Sequence, residues 1–230
     1  MIKEQLMIVQ DNIAKACERS GRDVNEVSLI AVSKTKPNEL LMEAYESGIR
    51  LFGENYVQEL ADKIDSMPDD IRWHMIGHLQ RNKVKYLIGK VAMIHSVDSV
   101  RLAEEISKES VKRNVVTDIL LEVNVALEEN KFGFTVEETY DAVSVISRLD
   151  GIRVRGLMTS APYVADAEEN RIYFKKLKQL CVDINEKNID NICMDILSMG
   201  MTNDYVVAVE EGATHVRVGT AIFGARNYNK

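Results

Sequence analysis

A rhythm in the chain limits its fold more than any other feature. Short apolar runs rich in β-branched residues alternate with longer stretches whose apolar residues recur every three or four positions. The runs fall at residues 29–32, 51–52, 72–76, 92–95, 118–123, 153–157, 194–198 and 215–218. Helical periodicity fills the gaps, as over 39–47, over 100–110, and at Phe174, Leu177, Cys181 and Ile184. Strands that alternate with helices pair in parallel through crossovers. About eight such units predict a single (β/α)8 barrel, with an open doubly wound sheet as the alternative. Ile2, Leu6, Val9, Ile13 and Cys17 predict an extra N-terminal amphipathic helix over 2–19, closed by Gly21. Only residues 219–230 follow the last strand, too few for a full eighth helix, so the N-terminal helix is expected to cover that gap. With three prolines and no Gly/Ser-rich linker, one domain over 1–230 is expected.

Composition narrows the function. Hydrophobic content of 46% and charged content of 28% suit a substantial core. A net charge of -7 disfavours broad nucleic-acid binding and anionic membranes. The basic stretch Arg81-Asn82-Lys83-Val84-Lys85 reads as a solvated helix face. Cys17, Cys181 and Cys193 lie far apart and are odd in number, against a disulfide framework; the first two read as core. His74, His78, His95 and His215 form no metal-binding pattern. No signal peptide opens the chain and no apolar run is long enough to cross a bilayer, so a soluble, cytoplasmic protein is expected.

Barrels concentrate function at the carboxyl ends of their strands. Lys34 follows the first run, and Pro37 stands where a helix can begin. A lysine there can stay solvated, hold an anion, or present a partly desolvated amine to a carbonyl. Around the same rim fall Asn55, His78, His95 with Ser96, Asn124, Thr159 with Ser160, and the stretch from Ser198 to Thr202. Gly200 permits close backbone approach, Thr202 is placed to cap a helix with Asp204 in its first turn, and Gly219 with Thr220 adds amides and a hydroxyl. Phosphate sites after strands seven and eight recur in such barrels. Arg217, between two valines, needs an acceptor inside the barrel: a carboxylate or a ligand ring nitrogen.

Six segments, ordered along the chain, resemble the signatures of the YggS/PROSC family. They are Ala31-Val32-Ser33-Lys34-Thr35-Lys36-Pro37, Phe52-Gly53-Glu54-Asn55-Tyr56-Val57-Gln58, Trp73-His74-Met75-Ile76-Gly77-His78-Leu79-Gln80, Arg155-Gly156-Leu157-Met158, Leu197-Ser198-Met199-Gly200-Met201, and the run from Val216 to Arg226. The resemblance implies an alanine racemase N-terminal-domain-like barrel that binds pyridoxal 5'-phosphate in homeostasis of that cofactor. It implies Lys34 as the imine-forming lysine and Arg217 facing the pyridine nitrogen. Ser198, Met201, Thr202, Gly219 and Thr220 are expected around the phosphate, and Asn55 and His78 near the ring. The family usually has serine where Thr202 stands; threonine keeps the hydroxyl. Lys131 resembles a family lysine linked to transient cofactor handling, while its local sequence reads as a solvated loop.

Arginine at the ring nitrogen disfavours the protonated pyridine and weakens the electron sink. Alanine racemase tolerates that arrangement with a catalytic tyrosine from a second domain, which a chain ending at Lys230 is expected to lack. Tyr56 and Tyr163 could stand in for it, although packing or surface roles fit them better. A reversible cofactor carrier and buffer is therefore expected, acting as a monomer, passing its cofactor to apoenzymes, and affecting amino-acid and keto-acid balance indirectly. The alternatives are a single-domain amino-acid racemase, a lysine-imine aldolase on a sugar phosphate, and a regulatory module that senses the cofactor.

Overall fold

A computed structural model gives the fold and describes residues 1–225; Arg226, in the last family-like segment, lies outside the described residues. Eight parallel strands close into a barrel in sequence order. They are β1 (Ser28–Val32), β2 (Leu51–Glu54), β3 (Arg72–Met75), β4 (Met93–Val97), β5 (Thr117–Glu122), β6 (Ile152–Met158), β7 (Ile192–Met201) and β8 (His215–Val218). Ladder bonds between β1 and β8, with Ser28 opposite His215, seal the barrel and exclude the doubly wound sheet. Every expected strand is present; β8 has the expected ends and the others shift by up to three residues.

Side chains on a strand alternate between faces. Met93, Leu120, Met158 and Ile196 form a separate buried cluster that fills the barrel. The larger core lies between barrel and helices and includes Phe52, Trp73, Ile94, Leu102 and Phe174. Two-residue spacing therefore places His95, Glu122 and Ser198 on the inward faces of their strands. His95 and Ser96 are not on the rim, as the sequence suggested. Both are fully buried inside β4, which runs on to Val97.

The crossovers include α2 (Asn38–Glu46), α3 (Val57–Ile64), α4 (Val100–Lys112), α5 (Val136–Ile146), α6 (Arg171–Glu186) and α7 (Tyr205–Glu210). Ser99 caps α4 by accepting the Leu102 amide, and Thr135 with Glu138 makes a capping box on α5. Between β3 and β4 only a 3-10 helix, Arg81–Tyr86, intervenes. It buries Val84 and leaves Arg81, Lys83 and Lys85 exposed, so the basic stretch is a solvated face.

The N-terminal helix α1 (Ile2–Ser20) does cover the eighth position, because α8 is only Thr220–Phe223. Its stripe of Ile2, Leu6, Val9, Ile13, Ala16 and Cys17 is buried, and it packs against α2, α7 and α8. Cys17 and Cys181 are buried thiols, while Cys193 is exposed. No described helix is long and apolar enough to cross a membrane.

Candidate functional site

A cleft of about 550 Å3 opens at the carboxyl ends of the strands, where barrel folds carry their chemistry. Lys34, Asn55, Met201, Thr202, Arg217, Gly219 and Thr220 all stand on its wall, with Lys36, Ser160 and Tyr163. Local chain geometry accounts for each. Lys34 lies two residues past β1, in a tight turn closed by the Lys36 amide donating to the Ser33 carbonyl at 3.1 Å. Asn55 directly follows β2, and its buried Oδ1 has no hydrogen-bond partner.

Arg217 is the buried centre of the cleft floor. Its Nη1 donates to the carbonyl of Ser198 at 2.8 Å and to its Oγ at 2.6 Å. Nη2 donates to the Thr159 carbonyl at 2.8 Å and reaches Ser160 Oγ at 3.4 Å. These acceptors are carbonyls and hydroxyls, not the carboxylate partner considered from sequence. Burial pushes the guanidinium down to about 10, against the pull of Glu122 and Asp204, so it remains a cation at neutral pH. Glu122, on the inward face of β5, is pushed up to about 7 by burial and by Asp98, against Arg217 and Lys131.

The β7 and β8 loops meet through Thr202, whose Oγ1 accepts the Gly219 amide at 3.3 Å. Thr202 does not cap the next helix. Asp204 is the residue before α7, and its Oδ1 accepts the Met201 amide at 2.7 Å while Oδ2 accepts from Asn170 at 2.8 Å. The Met201 amide is thus already spent. Gly200 (φ 90°) lets β7 run against α7: a β-carbon there would lie 2.5 Å from that of Ala208.

Two expected site residues are not on the wall. His78 is exposed, bonded to Asp98 at 2.9 Å and stacked on Phe132 with ring centroids 3.7 Å apart. Ser198 is fully buried beneath Arg217, its Oγ 2.9 Å from His95 Nδ1, because two-residue spacing turns it into the barrel. Asn124 closes its own loop by accepting the Glu128 amide. Lys131 pairs with Glu128 and donates to the carbonyls of Ser160 and Ala161, beside the cleft rather than on its wall.

Sequence reading missed several functional groups. Lys36 reaches across the cleft to the carbonyls of Phe223, Gly224 and Ala225, each at 3.0 Å. Its position in the Lys34 segment was a usable signal. Buried Glu54 and Lys63, with the partly exposed Glu59, form a charge cluster under the Lys34 turn. His95 Nε2 lies 2.8 Å from His74 Nδ1, extending a polar chain down from Ser198. Contacts across several strands carry no local sequence signal.

Comparison with known proteins adds to this geometry. Residues 6–227 match the family model described as alanine racemase, N-terminal domain. The pyridoxal phosphate homeostasis protein of Aquifex aeolicus (strain VF5) is 46% identical over 226 residues, 98% of each chain. PipY of Synechococcus elongatus PCC7942, solved with PLP bound, superposes with a TM-score of 0.82 at 32% identity, covering 97% of this chain and 100% of that one. An alanine racemase from Clostridium difficile 630, complexed with cycloserine, shares the fold at a TM-score of 0.73 and 12% identity; the match covers 95% of this chain and 59% of that one.

Proposed function

This chain belongs to the YggS/PROSC family of pyridoxal phosphate homeostasis proteins, and on that footing we propose that it is a single-domain, reversible carrier of pyridoxal 5'-phosphate. The observation that carries the reading is one cleft wall that joins a strand-end lysine, a buried guanidinium and the β7–β8 loops. The residues fit the cofactor. Asn55 Oδ1 is a buried acceptor still in need of a donor, and Lys34 is a half-buried amine at the mouth. The Thr202–Gly219 bond is long, so its amide exchanges readily for an anionic acceptor.

When bound, the cofactor supplies an aldehyde that bonds reversibly to an amine, and a ring that can accept electrons. Lys34 is the amine that holds it. Thr202, Gly219 and Thr220 hold the phosphate, and Asn55 orients the ring. Arg217, its charge locked by the barrel carbonyls, would face the ring nitrogen, keep it unprotonated and leave the ring a weak electron sink. Tyr163 stands on the wall but is 91% exposed, and Tyr56 is 58% exposed off the wall, so neither is an ordered proton donor. These features favour carriage over catalysis. The reading includes delivery to cofactor-dependent apoenzymes, a monomeric state and a cytoplasmic setting, the last in keeping with three free thiols.

The test is an absorbance spectrum of the protein with pyridoxal phosphate, before and after borohydride, followed by peptide mapping. A visible band that borohydride removes, with the label on the Lys34 peptide, supports the assignment. A label confined to another lysine overturns it. Failure of a competing amine to extract the cofactor sinks the carrier reading, and solvent deuterium entering the α-carbon of alanine sinks the non-catalytic one.

A further inference from the structure

We propose that Lys63, with Glu54 and Glu59, positions Lys34: a charge cluster outside the cleft, centred on the buried Lys63–Glu54 pair, that locks the turn carrying the reactive amine. The inference deepens the cofactor reading above and rests on it for what the amine does.

Both chain neighbours of Lys34 are tied to one ammonium. Before it, the Ser33 carbonyl accepts from Lys63 Nζ at 2.8 Å, and Ser33 Oγ donates to Glu54 Oε1 at 2.6 Å. After it, the Thr35 amide donates to Glu59 Oε1 at 2.6 Å. Lys63 Nζ joins the two sides, 2.7 Å from Glu54 Oε1 and 2.6 Å from Glu59 Oε1. Glu54 also directly precedes Asn55, so the cluster ties the β1 rim to the β2 rim.

The backbone explains why a clamp is needed. Thr35 has φ 63°, the left-handed conformation that glycine takes at the third position of a type II turn. A β-branched residue pays a steric penalty there and holds the conformation only where its surroundings over-determine it. Here the surroundings are the Glu59 carboxylate on the Thr35 amide and the Lys63 ammonium behind that carboxylate.

The cluster is also a costly way to join α3 to the barrel. Lys63 is 5% exposed, Glu54 is fully buried, and Glu54 Oε2 has no partner. Buried ion pairs give little net stability over apolar packing. A bond network that converges on the peptides flanking one amine is what orientation of that amine requires, since reactivity falls steeply with small misplacement.

The test compares wild type with Lys63→Met, Lys63→Arg and Glu59→Gln. In the protein without cofactor, formaldehyde with cyanoborohydride labels lysines, and mass spectrometry follows Lys34 against exposed Lys3. With pyridoxal phosphate, the pH midpoint of the visible band is recorded. We expect Lys63→Met to change the relative labelling of Lys34 by about tenfold and to move the midpoint, with partial recovery in Lys63→Arg. A stabilising ion pair alone would lower the melting temperature and leave both readouts at wild-type values; that result in folded Lys63→Met overturns the proposal. If Lys63→Met does not fold, Glu59→Gln decides in the same way, since it keeps an acceptor for Thr35 and loses only the charge. Wild type that takes up no pyridoxal phosphate overturns the cofactor reading instead, and the labelling ratio still decides the positioning.

Discussion

Arg217 orders the protons beneath it. Its Nη1 donates to Ser198 Oγ, which leaves the hydroxyl proton for His95 Nδ1; His95 Nε2–H then donates to His74 Nδ1. These tautomers follow from satisfying the network from one fixed cation. Replacing Arg217 with methionine strands the Thr159 carbonyl and leaves the Ser198 carbonyl with the Thr159 amide alone, and should cost about 2 kcal/mol in urea unfolding. The histidines make stability depend on pH. Burial takes His74 to about 3 and His215 to about 4, and holds His95 well below its usual value. Below about pH 6.5 the unfolded chain gains protons that the folded state refuses, so stability falls on acidification. Glu122, raised to about 7, acts oppositely: above the ordinary carboxylate range the folded state keeps a proton that the unfolded chain has lost. Burial raises Glu54 as well, and the three bases outweigh these two acids, so the urea midpoint should drop from pH 6.5 to 5, and more steeply in Glu122→Gln. A flat midpoint would refute the neutral histidine chain. None of this was legible residue by residue. Lys34 stood out as a charge just past an apolar strand and Arg217 as one inside a strand, whereas Lys63 sits in a helix where an (i, i+4) glutamate makes any lysine look ordinary.

At the scale of elements, the strands were readable because a barrel buries both strand faces and writes them as continuous apolar runs. What they did not disclose was where each strand stops. β4 and β7 run further than their apolar cores, and that shift of frame moved His95 and Ser198 from rim to interior. The third crossover was also hidden, since a 3-10 helix buries one residue, Val84, and makes no amphipathic stripe. β6 and β7 show how tightly the closed sheet is specified. Their pairing shifts register between Val154 and Gly156, and a β-carbon at Gly156 would lie 1.8 Å from the Ile196 carbonyl oxygen. Gly156→Ala must open this ladder. The expected outcome is a loss of about 3 kcal/mol or more, or failure to fold, read by circular dichroism and urea titration. Near-native stability would mean that β6 can slide past β7, contrary to the register described.

The whole molecule is a closed barrel in which the first helix completes the last unit. Thr220–Phe223 is too short to cover the β8–β1 seam, and α1 supplies the missing apolar stripe from the other end of the chain. Polar contacts fix its register. Asn12 donates to the Tyr205 hydroxyl at 2.9 Å, and Arg22, just past the helix, donates to the carbonyls of Val209 and Ala213 at 2.7 and 2.9 Å. All three partners lie in or next to α7, the helix that follows the Thr202 loop. This makes α1 a structural support on the outer layer, whereas the charge cluster beneath Lys34 acts on the mouth itself. The two roles separate experimentally. Leu6 is 2% exposed at the centre of the α1 stripe, so Leu6→Ala should cost about 3 kcal/mol by urea unfolding. No residue of α1 lines the cleft, so the visible band of bound pyridoxal phosphate and its pH midpoint should match wild type. If Leu6→Ala moved that midpoint as far as Lys63→Met does, the outer layer would be tuning the amine too, and the division between supporting helix and positioning cluster would be wrong.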